Sequence, residues 1–276
     1  MMAFTLVREK KAWSYSSEII RVSDPHIRMT RSTLVLFPIM ASLFMADVCR
    51  AGDIVFESKT GRTHLLELYT SEGCSSCPPA EAWLSKLKNE PRLWQDFVPV
   101  AFHVDYWDHL GWRDPFALKV WTERQADYSA RWKSENVYTP AFVLDGKEWR
   151  HGALPAASTD MPGPLKITIN GDRVTAVFKS AEAASGRYEI HLARLGFSLG
   201  TSVTAGENNG RKLMHDFVVL DLTNEGMKAG TKELKLPQPS SKLGVGARSA
   251  IAAWVTQPGK IEPIQAVGGW LLEEKL

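Results

Sequence analysis

The first part of the chain alternates between short apolar runs and stretches with helical spacing. Residues 64–70 and 97–104 are apolar runs that predict strands, and the second is nearly continuous, as in a strand buried on both faces of a sheet. After each run, apolar residues recur at intervals of three or four, or at multiples of four, which predicts a helix. The two repeats are formed by Ala80, Trp83, Leu84 and Leu87, and by Phe116, Val120, Tyr128 and Trp132.

Local signals indicate where the second helix begins and which strands come after it. Asp114 and Pro115 predict its start, with the aspartate as N-cap and the proline in the first turn. Residues 141–144 predict another strand, which a turn at Asp145-Gly146 connects to a returning strand at 149–151. The predicted order is βαβα followed by a hairpin.

Helical spacing disappears in the second part of the chain, where short strands alternate with turns. Residues 165–169 and 174–178 flank Asn170-Gly171, a strong hairpin signal. Several short strands of this kind predict a β-sandwich. The further strands are predicted at 188–192, 217–220, 250–255 and 264–270. Residues 156–164 lack periodicity and are rich in Ala, Ser and Pro, so we interpret them as a linker.

The N-terminal region has the pattern of a secretory signal. An apolar run at 34–45 has arginines before it and small residues after it, and it is shorter than the ~20 apolar residues of a membrane span. We expect 29–51 to be a signal peptide and 1–28 an upstream extension. The alternative is an uncleaved anchor. Cleavage after Ala51 would also remove Cys49.

Composition and cysteine content narrow the class of protein. The 276 residues are 44% hydrophobic with a net charge of +2, which indicates a folded protein and argues against a nucleic-acid binder. The mature chain would keep two cysteines, and an oxidising compartment would permit a disulfide between them. A structural zinc site needs more thiols or suitably spaced histidines, so we expect no metal and no cofactor.

Cys74-Ser75-Ser76-Cys77 lies between the first predicted strand and the first predicted helix. This position is typical of thiol–disulfide chemistry, because a helix N-terminus stabilises a thiolate and two intervening residues let the sulfurs bond. Pro78 and Pro79 follow directly and have no N–H to donate, so the helix is expected to begin near Cys77. The alternative is a static structural disulfide, although so small a loop gains little from cross-linking.

Five segments together resemble a family of secreted bacterial proteins catalogued as domain of unknown function 1223. The resemblance implies an α/β thioredoxin-like domain at 62–155, followed by a small all-β, sandwich-like domain at 165–276, and thus an α+β protein overall. It assigns no substrate. The segments are 66–80, 103–112, 123–125, 137–140 and 206–210.

The resemblance also implies roles for the residues around the cysteines. Cys74 is the expected nucleophile, exposed at the helix start, and Cys77 the less accessible resolving thiol. Pro140 is expected to be a cis proline that faces the pair, and the backbone of Thr139 would pair with an extended substrate. The alternative is a trans proline at the start of an edge strand.

The segment 103–112 comes after the second strand, at the sheet edge where α/β proteins bind ligands. His103 or Asp105 could assist the thiols as an acid–base partner. Asp105, together with Asp108 and His109, could instead bind a metal. A third interpretation is packing, in which the acids cap a turn and the aromatic residues fill the seam between domains.

A polar cluster formed by residues 207–210 and His215 has two interpretations as well. We predict a hairpin loop, and the alternative is contact with the redox face.

These features predict a periplasmic or secreted thiol–disulfide oxidoreductase that uses Cys74 and Cys77. Its expected partners are protein thiols or disulfides, with no nucleic acid and no membrane span in the mature chain. One alternative is a non-catalytic thioredoxin-like binding module with a structural disulfide and an aromatic docking surface. Another is a metal carrier that uses both cysteines with His103 or His109.

Overall fold

The computed structural model describes residues 52–271, except 135, 151, 183–185, 229 and 239–247. The predicted upstream extension and signal peptide lie outside the described residues, as does the predicted strand residue His151. Within the described part, 41% of residues are in strands and 14% in helices. None of the helices described there is long and apolar enough to cross a membrane.

The described chain has fourteen strands and two α-helices. The strands are β1 Ile54–Glu57, β2 His64–Thr70, β3 Phe97–His103, β4 Ala141–Leu144, β5 Lys147–Glu148, β6 Leu165–Asn170, β7 Arg173–Phe178, β8 Arg187–Gly196, β9 Leu199–Ser202, β10 Lys212–His215, β11 Val218–Lys228, β12 Thr231–Lys235, β13 Ser249–Thr256 and β14 Gln265–Trp270. The α-helices are α1 Cys77–Lys86 and α2 Lys119–Arg131, with short 3-10 helices at Leu87–Asn89 and Asp108–Leu110.

Twelve of these strands form one mixed sheet, and β9 and β10 form a separate two-stranded sheet. Along the main path the order is β1-β6-β7-β12-β11-β3-β2-β4-β5. The remaining three strands branch from β11, which pairs with β8, and β8 continues through β13 to β14. The sheet therefore runs without interruption from the first part of the chain to the second.

The prediction of an α/β thioredoxin-like domain followed by a separate all-β sandwich is therefore wrong. β3 pairs in parallel with β2 on one side and with β11 on the other, where Ala101 is opposite Val218 and the Ala101 N–H donates to the Phe217 carbonyl at 2.8 Å. At the far edge, β1 pairs with β6. Strand periodicity gives no information on which strand pairs with which, so it could not detect this interleaving.

The hydrophobic core confirms that the two parts of the chain fold together. One cluster of buried side chains includes Tyr69 of β2, Phe102 of β3 and Trp254 of β13. A second cluster lies mainly between strands of the second part, including Ile167, Leu192 and others. Because the first cluster draws on both parts, the first part buries its apolar residues only together with the second.

The first helix follows its predicted face, whereas the second does not. α1 buries Cys77, Glu81 and Leu84 at the spacing of one helix face. α2 begins at Lys119, so Asp114 is not its N-cap, and Val120 is 50% exposed. Asp114 instead accepts hydrogen bonds from other parts of the chain, which a local capping pattern does not reveal.

A buried ion pair lies in the shared core. Arg124 of α2 donates to both carboxylate oxygens of Glu67, at 2.9 and 3.1 Å, and the Glu67 side chain is fully buried. The hydroxyls of Tyr69 and Tyr128 also donate to this carboxylate. Arg124, which belongs to the family segment 123–125, is thus part of a buried ion pair.

Replacing Glu67 with glutamine should lower the free energy of unfolding by about 3–5 kcal/mol, because the Arg124 charge would remain buried without a counter-ion. Chemical denaturation measures this change. The matched control is Glu123→Gln, since Glu123 pairs with Lys119 across two well-exposed side chains and should change stability by less than about 0.5 kcal/mol. Equal effects of the two variants would contradict a buried, energetically coupled pair.

The buried side chain of His191 should make the free energy of unfolding fall as the pH becomes acidic. Its ring stacks on Trp254 and bonds to Asn224 and Thr256, and burial, followed by the Arg124 charge, lowers the pKa of His191 to about 3. The unfolded chain therefore binds a proton at this residue near pH 6.5, whereas the folded chain does so only near pH 3. Stability from this residue is complete above pH 6.5 and falls by up to about 1.4 kcal/mol per pH unit as the pH drops. Denaturation at several pH values should show a flatter acid limb for His191→Gln, and an unchanged limb would exclude this contribution.

Candidate redox site

Cys74 and Cys77 form a disulfide at the junction between β2 and α1. Their Cα atoms are 5.4 Å apart, within the usual range for a bridged pair. Two consecutive turns shape the loop, since the Cys74 N–H donates to the Ser71 carbonyl and the Cys77 N–H to the Cys74 carbonyl, each at 3.2 Å. Ser76 is the N-cap and the prolines occupy the first turn, which confirms that the helix begins at Cys77.

Gly73 lets the cysteine loop approach the segment 103–112. A Cβ atom at this position would lie 2.7 Å from the Trp107 Cβ, so a larger residue would push the two segments apart. The Trp107 indole N–H in turn donates to the Thr139 hydroxyl at 2.8 Å. Trp107 therefore connects the cysteine loop to the segment that precedes β4.

The Thr139–Pro140 peptide bond is cis, as the family resemblance implies. The Thr139 carbonyl oxygen lies 3.7 Å from the Cys74 sulfur, and the Ser76 hydroxyl lies 3.3 Å from the same sulfur. The Gln125 side-chain amide holds this segment by donating to the Tyr138 carbonyl at 2.7 Å. Cys74 is thus the cysteine next to Thr139 and Pro140.

The expectation that Cys74 is exposed is wrong. Cys74 is 1% exposed and Cys77 is fully buried. The loop between β9 and β10 covers the pair, because the Asn208 amide donates to the Glu72 and Cys74 carbonyls at 2.8 and 3.0 Å. The Ser75 N–H also donates to the Glu207 carboxylate at 2.9 Å, and this bond lowers the pKa of Glu207. The prediction of a hairpin loop at residues 207–210 is confirmed, since they lie in the loop that joins the antiparallel strands β9 and β10, and the same loop also contacts the cysteine loop.

A groove of about 790 Å³ begins beside the disulfide. Its wall next to the cysteines includes Ser76 and Pro140, half of its other lining residues are aromatic, and Glu148 and Arg150 add charged groups. The aromatic residues are Trp83, Tyr138, Phe142 and Trp149. The Trp83 ring lies 5.3 Å from that of Phe142 and 5.6 Å from that of Trp149. Sequence reasoning missed this groove because its residues come from α1, β4 and the segments around β4 and β5.

A network of buried acids and histidines lies behind the cysteine loop. His215 of β10 pairs with Glu81 through Nδ1 and with Glu72 through Nε2, the latter at 2.8 Å. The Thr70 hydroxyl donates to Glu81 at 2.5 Å, and the Trp112 indole N–H donates to Glu72 at 2.7 Å. Because Glu81 is one helical turn after Cys77, the network and Cys77 share the buried face of α1.

Charges within this network shift the pKa values of its histidine and carboxylate side chains. Burial disfavours the charged form of His215, but the adjacent Glu81 and Glu72 carboxylates outweigh burial and raise the pKa of His215 to about 10. Burial also opposes ionisation of Glu81, yet the His215 charge and hydrogen bonds hold the pKa of Glu81 below its usual value. Asp114 follows the same logic, since the His103 charge and hydrogen bonds outweigh burial and lower its pKa.

The residues predicted to assist the thiols have other partners. His103 is 1% exposed and bonds through Nδ1 to Asp114 at 2.7 Å, while Asp105 accepts a hydrogen bond from the Thr122 hydroxyl at 2.6 Å. The structure gives neither residue a hydrogen bond to a cysteine in the part of the chain it describes. Trp107 and Trp112 make the contacts described above, which favours the packing interpretation of 103–112.

Glu72 and Glu81 are site residues that sequence reasoning did not single out. The sequence does contain one signal, a carboxylate on an apolar helix face, since Glu81 lies between Cys77 and Leu84 on the buried side of α1. Buried carboxylates require partners, so this position indicates a polar cluster. The partner His215 is too far away in the chain for the pattern to identify it.

Comparison with known proteins identifies the family. The family model described as "Protein of unknown function (DUF1223)" matches residues 65–256. The chain belongs to the DUF1223 family. No curated protein matches it.

Two solved structures resemble this DUF1223 chain in fold. Protein AGR_C_4864 from Agrobacterium tumefaciens is 24% identical with a TM-score of 0.53, covering 78% of this chain and 96% of that chain. HBP35 of Porphyromonas gingivalis is 13% identical with a TM-score of 0.50, covering 78% of this chain and 76% of that chain. Identities this low show a shared fold and carry no functional assignment.

The cover over the disulfide can be tested with Asn208→Asp. Asn208 is fully buried, and the isosteric aspartate cannot donate to the Glu72 and Cys74 carbonyls. The free energy of unfolding should fall by about 1–3 kcal/mol, and dithiothreitol should reduce the disulfide faster. Thiol release under native conditions measures the rate. Asn209→Asp is the matched control, because Asn209 is exposed and should leave both quantities unchanged. A reduction rate unaffected by Asn208→Asp would show that this contact does not limit access.

Proposed function

We propose that this DUF1223 protein exchanges disulfides with the thiols or disulfides of other proteins through Cys74 and Cys77. The observation that carries the proposal is the position of the Cys74 sulfur, against the Thr139 carbonyl and Ser76, where the aromatic groove begins. A reactive sulfur at the end of an apolar groove fits a polypeptide substrate, because the groove can take side chains next to the reacting cysteine.

The exchange involves two steps that conserve electrons. When the disulfide acts as oxidant, a substrate thiolate attacks the Cys74 sulfur, the Cys74–Cys77 bond breaks, and Cys77 leaves as a thiolate. A second substrate thiol then attacks the mixed disulfide and releases Cys74. When the dithiol acts as reductant, the same steps run in reverse, and Cys77 resolves the mixed disulfide formed at Cys74.

The surroundings of the pair favour the disulfide over the dithiolate. Pro78 and Pro79 remove two N–H groups that would otherwise stabilise a thiolate at the N-terminus of α1. The Glu72 and Glu81 carboxylates also lie in the network behind the loop. A reduced form that gains little stabilisation has a low reduction potential, so the pair should be closer to thioredoxin, at about −270 mV, than to DsbA, at about −120 mV.

Substrate access requires a local opening, because Cys74 is buried in the covered state. The contacts that would separate are those of Glu207 and Asn208 with the cysteine loop. The function also needs a compartment in which protein disulfides occur, so periplasmic or secreted location remains part of the proposal.

Burial of both sulfurs favours a second candidate function. In this case the disulfide is structural and the aromatic groove binds a protein or peptide without exchanging thiols. The two candidates differ in whether the folded protein equilibrates with external thiols.

Equilibration with glutathione under native conditions tests the exchange function. We expect reversible reduction of the folded wild type with a potential closer to about −270 mV than to about −120 mV. We also expect Cys77→Ser to form a mixed disulfide at Cys74 with a cysteine peptide activated by thionitrobenzoate. Cys74→Ser is the matched control and should react more slowly, because Cys77 is on the buried face of α1 with Glu81 and Leu84, whereas the Cys74 sulfur lies beside the Thr139 carbonyl.

A peptide with aromatic residues next to its cysteine should react faster with Cys77→Ser than a polar peptide does. A disulfide that opens only when the protein unfolds would reject the exchange function and favour the structural disulfide. Equal trapping by the two single-cysteine variants would reject Cys74 as the exchanging sulfur.

A further inference from the structure

Three side chains of metal-binding type converge in the network behind the cysteine loop. Glu81, His103 and His215 each offer one ligand atom, and these atoms lie within 4.8 Å of one another. They come from α1, β3 and β10, and the three residues are 7%, 1% and 1% exposed. The sequence places them far apart, so no spacing pattern in the chain indicates them together.

His103 has an unsatisfied nitrogen in this cluster. Its Nδ1 bonds to the Asp114 carboxylate at 2.7 Å, whereas its buried Nε2 has no hydrogen-bond partner among the described residues. In the neutral ring, the form that binds a metal, an Nδ1–H that donates to this carboxylate leaves a lone pair on Nε2. Buried polar atoms nearly always have a partner, so this atom requires an explanation. A carboxylate behind one nitrogen and a free lone pair on the other are typical of a metal-binding histidine.

The other two residues also have supporting partners. His215 Nε2 bonds to Glu72 at 2.8 Å, which leaves Nδ1 on the side of Glu81. The second oxygen of Glu81 accepts a hydrogen bond from Thr70 at 2.5 Å. Each of the three residues is thus oriented from behind by a group that would remain in place if its inner atom bound an ion.

We propose that Glu81, His103 and His215 form a binding site for a divalent transition-metal ion, with Zn²⁺ as the best match. The ligand atoms are Glu81 Oε2, His103 Nε2 and His215 Nδ1, and the ion replaces the proton between Glu81 and His215. Two imidazoles and a carboxylate are a ligand set that zinc uses, with bonds of about 2.0–2.2 Å. Ligands on one such ion lie roughly 3 Å apart, so the cluster needs only small side-chain shifts.

This site is independent of thiol exchange. Its ligands carry no sulfur, and the disulfide offers no thiolate to an ion. The ion would connect α1, β3 and β10, and so fix the floor on which the cysteine loop rests. The site therefore stands even if the proposed exchange function fails.

Metal titration of the oxidised, full-length protein after chelator treatment tests the site. We expect one Co²⁺ per chain, with visible d–d absorption and without the charge-transfer band of a cobalt–thiolate bond. Zn²⁺ should displace the cobalt and raise the thermal midpoint of the folded protein. Failure of the folded wild type to bind either ion stoichiometrically overturns the proposal, whatever the variants do.

Two ligand variants and two controls locate the ion. His103→Gln and Glu81→Gln should each weaken binding at least about 100-fold, more than the 10–100-fold typical of supporting residues. Far-ultraviolet circular dichroism establishes that each variant is folded, and only folded variants are compared. His109→Gln should bind as wild type, because His109 is exposed, bonds through Nδ1 to the Tyr106 carbonyl at 2.7 Å, and is not one of the three proposed ligands. The Cys74→Ser/Cys77→Ser protein should also bind normally. Binding that survives in folded His103→Gln, or that is lost with the cysteines, overturns the assignment.

Discussion

The parallel pairing between β3 and β11 is the constraint on which the rest of the structure depends. It joins the two parts of the chain into one sheet and fixes the position of the segment that leads into β11. That segment contains His215, three residues before Val218, and the loop with Asn208 lies just upstream. The second part of the chain therefore supplies both the cover of the cysteine loop and a central member of the network behind it.

Features encoded by local sequence were predictable. The strand at 64–70, the hairpin around Asn170-Gly171 and the helix start at Cys77 follow from apolar spacing and from the chemistry of glycine and proline. The prediction of two separate domains was wrong because strand pairing between distant segments leaves no periodic pattern in the sequence. The prediction that Asp114 is the N-cap of the second helix was wrong for a related reason. Its partners His103 and Glu72 are close in space but lie outside the local capping pattern.

The candidate site also has features that the local sequence predicts and features that depend on tertiary packing. The cysteine pair that forms the disulfide was predictable from the C-x-x-C motif, and the cis proline from the family resemblance. The burial of the pair was not, because exposure depends on what the rest of the chain places over a residue. Cys74 lies at a loop and helix junction that is open in isolation, and it becomes 1% exposed only when residues 203–211 and Trp107 pack on it. Exposure at such a site is a tertiary property.

The cover of the disulfide is the loop 203–211, and its floor is the buried network around Glu81 and His215. The two differ in the free energy needed to separate their contacts. Three hydrogen bonds hold the cover, one that the Ser75 N–H donates to Glu207 and two that the Asn208 amide donates to the cysteine loop. At about 0.5–1.5 kcal/mol each, the two from Asn208 amount to about 1–3 kcal/mol. Local openings of this size occur without global unfolding. The floor contains buried charges of Glu81 and His215, and separating one from the other would leave it unpaired at a cost of about 3–5 kcal/mol for that pair alone. Because His103 of the same network ends β3 of the continuous sheet, movement there would also disturb that strand. In the proposed exchange, a substrate thiol would therefore reach Cys74 from the groove and the cover, while Cys77 would stay on the side of the buried network.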